Sequence, residues 1–375
     1  MAFTTSLPTL MPVGSYLQED VTFLLKDLSS SMLESSTEER ERAIQSGTHY
    51  SEMLPVEYKP SEEYMKLFHS SLEMYKKKLA VAVGVVAEQI IENKGTETVL
   101  VSLARAGTPI GILIKRYILA THGLSLPHYS VSIIRGRGID ENAMQYIFQN
   151  HPNQRIQFID GWTGKGAITK ELQQAVARLN EIYNQQLDAC IAVLADPGHC
   201  AAIFGTREDF LIPSACLNAT VSGLVSRTIL NKLYIGSDDF HGVKYYRELE
   251  GEDVSNHFIN TIAKQFPLVQ NEISTELGLL RAVFSKPTWS GLQEVERIQK
   301  EFGIENMNLV KPGVGETTRV LLRRVPWKVL VSNYDDPNLH HILLLAKERN
   351  VPVELYPRMS YSCCGLIKSL GGNTE

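Results

Sequence analysis

A chain of 375 residues is long enough to bury a full core and to divide into two domains. With 43% hydrophobic and 21% charged residues it has the composition of an ordinary globular protein, and a net charge of −5 excludes a chain that coats nucleic acid over its whole surface. No apolar run approaches a membrane span, no basic-then-apolar signal pattern opens the chain, and five cysteines without zinc spacing fit a reducing cytoplasm.

Residues 1–60 read as an N-terminal extension packing on a core. Within it, residues 15–28 suit a strand with a turn of helix, residues 29–47 an exposed loop or frayed helix, and residues 49–64 an ordered loop over a site. Residues 62–93 predict a long helix, with Leu72, Tyr75, Leu79, Val83, Val86 and Ile90 on one stripe and Gly95 as its stop. A strand over 98–103 then runs into Ala104, Arg105, Ala106 and Gly107, and Pro109 suits the first turn of a helix over 110–121. An arginine among small residues at a strand end is either an anion site or an exposed arginine in a turn. Residues 128–134 predict the next strand, ending in the basic turn Arg135-Gly-Arg137-Gly before a helix over 141–149.

Residues 155–159 predict a short buried strand. Asp160 ends it, and Gly161, Trp162, Thr163, Gly164, Lys165 and Gly166 lead into a helix that starts at Ala167 and carries Thr169 in its first turn. Such a turn aims free N–H groups and the positive end of a helix at an anion, for which phosphate is the natural occupant. A Walker-type loop is a poor fit, because Ala167 stands where its lysine belongs, and the G-x-x-G-x-G spacing is not the dinucleotide fingerprint. A glycine-rich connection without a ligand stays open. A strand over 190–195 ends at Asp196-Pro-Gly-His199. Strands and helices thus alternate from 98 to 196, which calls for a parallel sheet covered on both faces, with every candidate loop at a strand's carboxyl end.

Residues 200–247 have the small, polar character of a substrate-covering segment. Residues 214–227 read as a helix after Pro213, with Cys216 near its start, where a thiol pKa is lowered. With His199 or His241 and Asp196, Asp238 or Asp239, Cys216 would make a thiol nucleophile site; a packed, buried cysteine is the plain alternative. Helices follow over 256–266 and 290–302, the second within a linker spanning 286–304. The tail, 305–375, holds nine Lys and Arg against seven Asp and Glu. Its pattern is helix 316–324, strand 327–332, helix 338–349, strand 351–356 and helix 363–370.

The stretches SLARAGTPIG, FIDGWTGKGAIT and IPSACLNATVSGLVSRTIL, with DDFHG beyond, resemble the phosphoribosyltransferase-like family of bacterial tellurite-resistance and stress gene clusters, whose members also carry the label cysteine protease StiP. GVGETTRVLLRR, WKVLVSNYDDP and NVPVELYP followed by SCCGLIKSLGG resemble the Pelota-type RNA-binding domain. The resemblance implies an α/β fold of type I phosphoribosyltransferase kind over 61–285 and a small α/β/α unit over 305–375. It implies transfer or release of a phosphoribosyl group on phosphoribosyl pyrophosphate (PRPP) or a ribonucleotide, with Mg²⁺ held mostly by substrate oxygens. Asp160, on the ribose hydroxyls, and Arg105, on pyrophosphate, would be the catalytic pair, with Ala104, Ala106 and Gly107 beside Arg105. Arg135 and Arg137 would close over pyrophosphate, and Trp162, Thr163, Gly164, Lys165, Gly166 and Thr169 would form the 5-phosphate loop. RNA would be met by Lys311, Glu316, Arg319, Arg323 and Arg324. The alternatives are a nucleotide-sensing RNA regulator without turnover and a thiol hydrolase using Cys216; oligomerisation stays open.

Overall fold

The computed structural model describes residues 10–282 and 286–367. Four two-residue strands lie near the start: Thr22–Phe23 (β1), Lys26–Asp27 (β2), Glu34–Ser35 (β3) and Leu54–Pro55 (β4). The charged stretch between β3 and β4 forms a true helix, Thr37–Gln45 (α1), because Ser36 and Glu39 close a capping box at its start.

The long helix Glu62–Lys94 (α2) begins where the Ser61 hydroxyl accepts the Tyr64 N–H and stops at Gly95, whose φ of 80° suits only glycine. Strands Thr98–Ala104 (β5), His128–Ile134 (β6), Gly138–Ile139 (β7), Arg155–Trp162 (β8), Ile191–Ala195 (β9) and Ile203–Thr206 (β10) build the main sheet. Its order is β1-β6-β5-β8-β9-β10, all parallel, with β7 folded back antiparallel on β6. Helices Thr108–His122 (α3), Glu141–Asn150 (α4) and Ala167–Tyr183 (α5) make the crossovers. Alternation along β5 sets the layers: Leu100 packs among residues of α2 and α3, while Val99, Val101 and Leu103 pack with those of α4 and α5. Ser255–Ala263 (α6) and Gln270–Ala282 (α7) thicken the first layer.

One expectation fails here. Residues 200–247 begin with an edge strand, β10, but residues 214–227 hold no α-helix, only 3₁₀ turns at Pro213–Ala215 and Ala219–Val221. The chain leaves helical geometry at Gly223 (φ 78°) and Leu224 (φ 57°), and the Gly223 N–H is taken by the Ser255 hydroxyl. Beyond that, Val225 bridges Tyr245, and Gly242–Val243 (β11) pairs with β2. Long-range partners outbid the local helix.

The C-terminal unit comprises Ser290–Glu301 (α8), Val310–Pro312 (β12), Val314–Arg323 (α9), Pro326–Val331 (β13), His340–Glu348 (α10), Val353–Leu355 (β14) and Cys363–Ile367 (β15). Its sheet runs β12-β15-β13-β14. The helix expected over 363–370 is therefore a strand as far as Ile367, and residues 368–370 lie outside the described residues. Cys363–Ile367 is flanked on both sides by antiparallel partners, β12 and β13, and Gly365 lets it pass beneath Val320 and Thr317 of α9. The helix Ser290–Glu301, read as part of a linker, sends Val295 and Ile298 into the same cluster as Val310, Leu330 and Leu366. On the other side, Val314 and Leu321 join the apolar cluster of the main unit beside Phe210, Ile212 and Ala215.

Candidate functional site

The carboxyl ends of β5 and β8 face α9 across a cavity of about 390 Å³. Ala104, Arg105, Ala106, Asp160 and Trp162 line it from the sheet, Ser214, Leu217 and Asn218 from the irregular segment, and Lys311, Glu316, Arg319 and Arg324 from the C-terminal unit. Ligands of open α/β sheets lie on this side. Gly107 brings the turn after β5 close to the Ile159 carbonyl, where a Cβ would not fit.

Arg105 is anchored: Nη1 donates to the Val225 carbonyl at 2.8 Å and Nη2 to Asn218 Oδ1 at 3.1 Å, and burial pushes its pKa down. Asp160 opens onto the cavity yet is shielded from bulk water. That burial pushes its carboxyl up to about 7, against the pull of the Gly161 N–H at 2.8 Å and of Arg319. The Arg319 guanidinium lies 4.9 Å from the centre of the Trp162 ring, donates to the Ala215 carbonyl at 3.3 Å and reaches Glu316 at 3.3 Å. Burial works against the charge of Glu316, but Arg319 and Lys311 outweigh it and hold the carboxyl low. Lys311, 3.9 Å from Glu316, is pushed down by burial and by the crowd of Arg135, Arg324 and Arg319.

The turn at 163–166 faces elsewhere. The Thr163 hydroxyl donates to Asp196, the Gly164 carbonyl accepts the Tyr361 hydroxyl at 3.1 Å, and Lys165 Nζ donates to the Met307 carbonyl at 2.6 Å. Burial, then Lys311 and Arg135, pushes Lys165 down to about 8. Gly166 (φ 75°) starts α5 under the ring of Trp289 and the thiol of Cys200, and Thr169 is buried. The loop read as a phosphate cradle is thus packed under the C-terminal unit, and of its residues only Trp162 reaches the cavity. Arg135 and Arg137 are held by the loop over 49–64: the Arg135 N–H donates to the Tyr50 hydroxyl at 3.0 Å and Arg137 pairs with Glu52 at 2.9 Å.

Of the residues read as an RNA face, Lys311, Glu316, Arg319 and Arg324 all border the cavity, and the side chain of Arg323 lies outside the described residues. Cys216 is fully buried in the apolar core, after a 3₁₀ turn, so the expected start of a long helix is not there to lower its pKa. The thiol beside His199 is Cys200, pushed up to about 12 by burial and by Asp196; burial also holds Cys190 at about 11 and Cys364 at about 12. Asp196 accepts the amides of Cys200 and Ala201 and pairs with Arg207. His241 bonds the Ser132 hydroxyl at 2.8 Å, and Asp239 pairs with Lys26 at 2.6 Å. Sequence reasoning missed Asn218, which orients Arg105, and Asp209, whose carboxylate ties the two units together. Neither carries a local signal.

Among the described residues no group of three or more His, Cys, Asp and Glu gathers as a metal would need, and no helix is long and apolar enough to cross a membrane. The expected Mg²⁺ was tied to the oxygens of PRPP or a nucleotide.

Residues 289–369 match the PELOTA RNA binding domain. A solved hypoxanthine-guanine-xanthine phosphoribosyltransferase aligns with 36% of this chain and 79% of its own at 11% identity, with a TM-score of 0.22, a likeness too slight to carry an argument. The "Cysteine protease StiP" of Acinetobacter baylyi is 35% identical over 96% of this chain and 94% of its own. Residues 14–263 match the family described as tellurite-like stress resistance cysteine protease StiP. Family and relative are both named for a cysteine protease, which overturns the expectation of a phosphoribosyltransferase acting on PRPP or a ribonucleotide. By the extent of both matches, the chain belongs to the StiP family.

Proposed function

We propose that this protein is a hydrolase of the cysteine-protease kind for which its family is named, and that it takes substrate into the cavity between the sheet and α9. The observation that carries this reading is that the segment bearing Cys216 is a wall of the same cavity that holds Asp160. Ser214, Leu217 and Asn218 line that wall, and Asp160 titrates near neutral pH, where a proton carrier is most effective. In the reaction, Asp160 takes the Cys216 proton, sulfur adds to the scissile carbonyl, and the carbon–nitrogen bond breaks as the amine leaves with that proton. Water then splits the thioester and restores the thiol. Cys216 faces the core, so the irregular segment has to turn for the thiol to reach the cavity. The match of the C-terminal unit to an RNA-binding domain supports RNA as a partner, met on the unit's outer side, since Lys311, Glu316 and Arg319 are committed inward.

A second reading rests on the burial of Cys216: Asp160 alone activates water for hydrolysis, without a thiol. Turnover of a fluorogenic peptide library by the full chain tests both. Loss of activity in Cys216→Ala and Asp160→Asn alike supports the thiol route. Loss in Asp160→Asn alone supports the second reading, and no cleavage by the folded wild type overturns both.

A further inference from the structure

Among the described residues, four cations line the cavity, Arg105, Lys311, Arg319 and Arg324, against two carboxyls, Asp160 and Glu316. The excess is two positive charges with both acids ionised and three when Asp160 carries its proton. Just outside, Lys165 and Arg135 lie close enough for their charges to weigh on Lys311 and on each other. Glu316 sits between Lys311 and Arg319 and neutralises only one of them. Packing like charges around a partly desolvated space is costly unless an anion is meant to enter it. A carboxylate would balance one charge of the excess; a dianion balances two. The cations also come from different directions, Arg105 from the end of β5 and the other three from β12, α9 and the turn after α9. A tetrahedral oxyanion offers acceptors on all those sides, which a planar carboxylate does not.

We propose that the α9 side of the cavity is a subsite for a phosphate-class dianion, with Lys311, Arg319 and Arg324 of the C-terminal unit and Arg105 of the sheet as its ligands. The proposal rests on the hydrolase reading of the cavity for the identity of the carrier: there the dianion is a phosphorylated side chain of the peptide substrate. The volume of about 390 Å³ fits one such side chain with its flanking backbone and excludes a nucleic-acid duplex. Its consequence for the fold is that an occupied subsite bridges the two units.

The test is thermal unfolding of the full chain in rising sulfate at pH 7, with chloride adjusted to hold ionic strength constant. Sulfate keeps two charges across this range, so only the protein titrates. The expected result is a saturating rise in Tm for wild type. Lys311→Met and Arg324→Gln should each weaken the apparent sulfate affinity about tenfold, the order expected for one charge-assisted contact. Lys66→Met, an exposed change on α2, should leave it unchanged. Arg324 is exposed, so its replacement keeps the fold even where Lys311→Met does not. No rise up to about 50 mM sulfate, or the same rise in wild type and Arg324→Gln, overturns the subsite. A phosphoserine peptide that competes with sulfate, where its unphosphorylated twin does not, identifies the carrier; equal competition by both removes the phosphate preference. Binding without cleavage would leave the subsite standing and the hydrolase reading fallen, and cleavage without sulfate binding the reverse.

Discussion

Asp209 Oδ1 accepts the backbone N–H of Val314 at 2.8 Å, so a carboxylate of the main unit caps the first turn of α9. Its other oxygen accepts the Ser362 N–H at 2.9 Å, next to β15. The seam that sets α9 over the cavity is thus held by one side chain with both acceptors in use. An amide in its place would present an NH₂ to one of two N–H donors. Asp209→Asn should therefore cost about 1–3 kcal/mol in urea unfolding at pH 7.5. Burial raises the Asp209 carboxyl to about 7, well above the unfolded value near 4. The folded state then binds the proton more tightly, so this group's contribution is full below pH 4 and is lost as pH rises to about 7. Asp209→Asn should flatten part of that decline; an unchanged pH slope would place the penalty elsewhere.

Asp160 titrates in the same window and faces the proposed dianion. Neutral Asp160 favours the anion and ionised Asp160 repels it. Sulfate affinity should fall several-fold between pH 6 and 8, with Lys165, at about 8, extending the decline on its alkaline side. Glu316 is held ionised by Arg319 and Lys311 and so adds no slope of its own. Calorimetry on Asp160→Asn should show the fall reduced, and a fall as steep as in wild type would acquit Asp160.

The turns at 163–166 and 197–199 are clamped together. A Cβ on Gly198 would run into the Gly164 carbonyl, and Gly291 donates its N–H to the Gly198 carbonyl at 3.2 Å. Gly198→Ala should destabilise the protein by about 1–3 kcal/mol, as overpacking does. Wild-type stability by denaturant titration would mean that the clamp gives way without cost.

Thiol chemistry offers another check. With Cys190 at about 11, only about one molecule in a thousand carries its thiolate at pH 8, and Cys200 and Cys364 carry less. Ellman's reagent should label the native protein hundreds of times more slowly than a free thiol, and all five cysteines promptly in guanidinium. Fast stoichiometric labelling of one native cysteine, mapped by mass spectrometry, would instead reveal a thiol reaching solvent; on Cys216 it would mark the segment turn that the thiol route needs.

How much of this was legible beforehand varies with the range of the interactions. Glu62–Lys94, the parallel strands and the helix start at Ala167 rest on local periodicity, caps and glycines, and the sequence carries all of these. Arg105 and Asp160 follow from strand ends in a parallel sheet, and both reach the cavity. Cys363–Ile367 is a short apolar run that fits helix or strand equally, and the choice is made by pairing with strands some 30 to 60 residues away. The glycines of the 163–166 turn signal a tight bend truthfully, but not that Tyr361 and Met307 fill the space above it. Proline before residues 214–227 suggested a helix start, while Ser255 and Tyr245 take the backbone away.

The bordering of one cavity by Arg105 and Arg319 also has a meaning in time. The two residues are 214 positions apart, so at roughly 5–20 residues per second a ribosome delivers the second some 10–40 s after the first. Once Cys216 has been made, with 103 positions still to come before Arg319, the nascent main unit has its sheet edge and Cys216 segment but no roof over them. A product released early by a broken message would carry the acid and the thiol without the cations of α9. Placing the roof last makes the complete pocket a property of chains that have been read through, so that shorter products are born without the cations that close it.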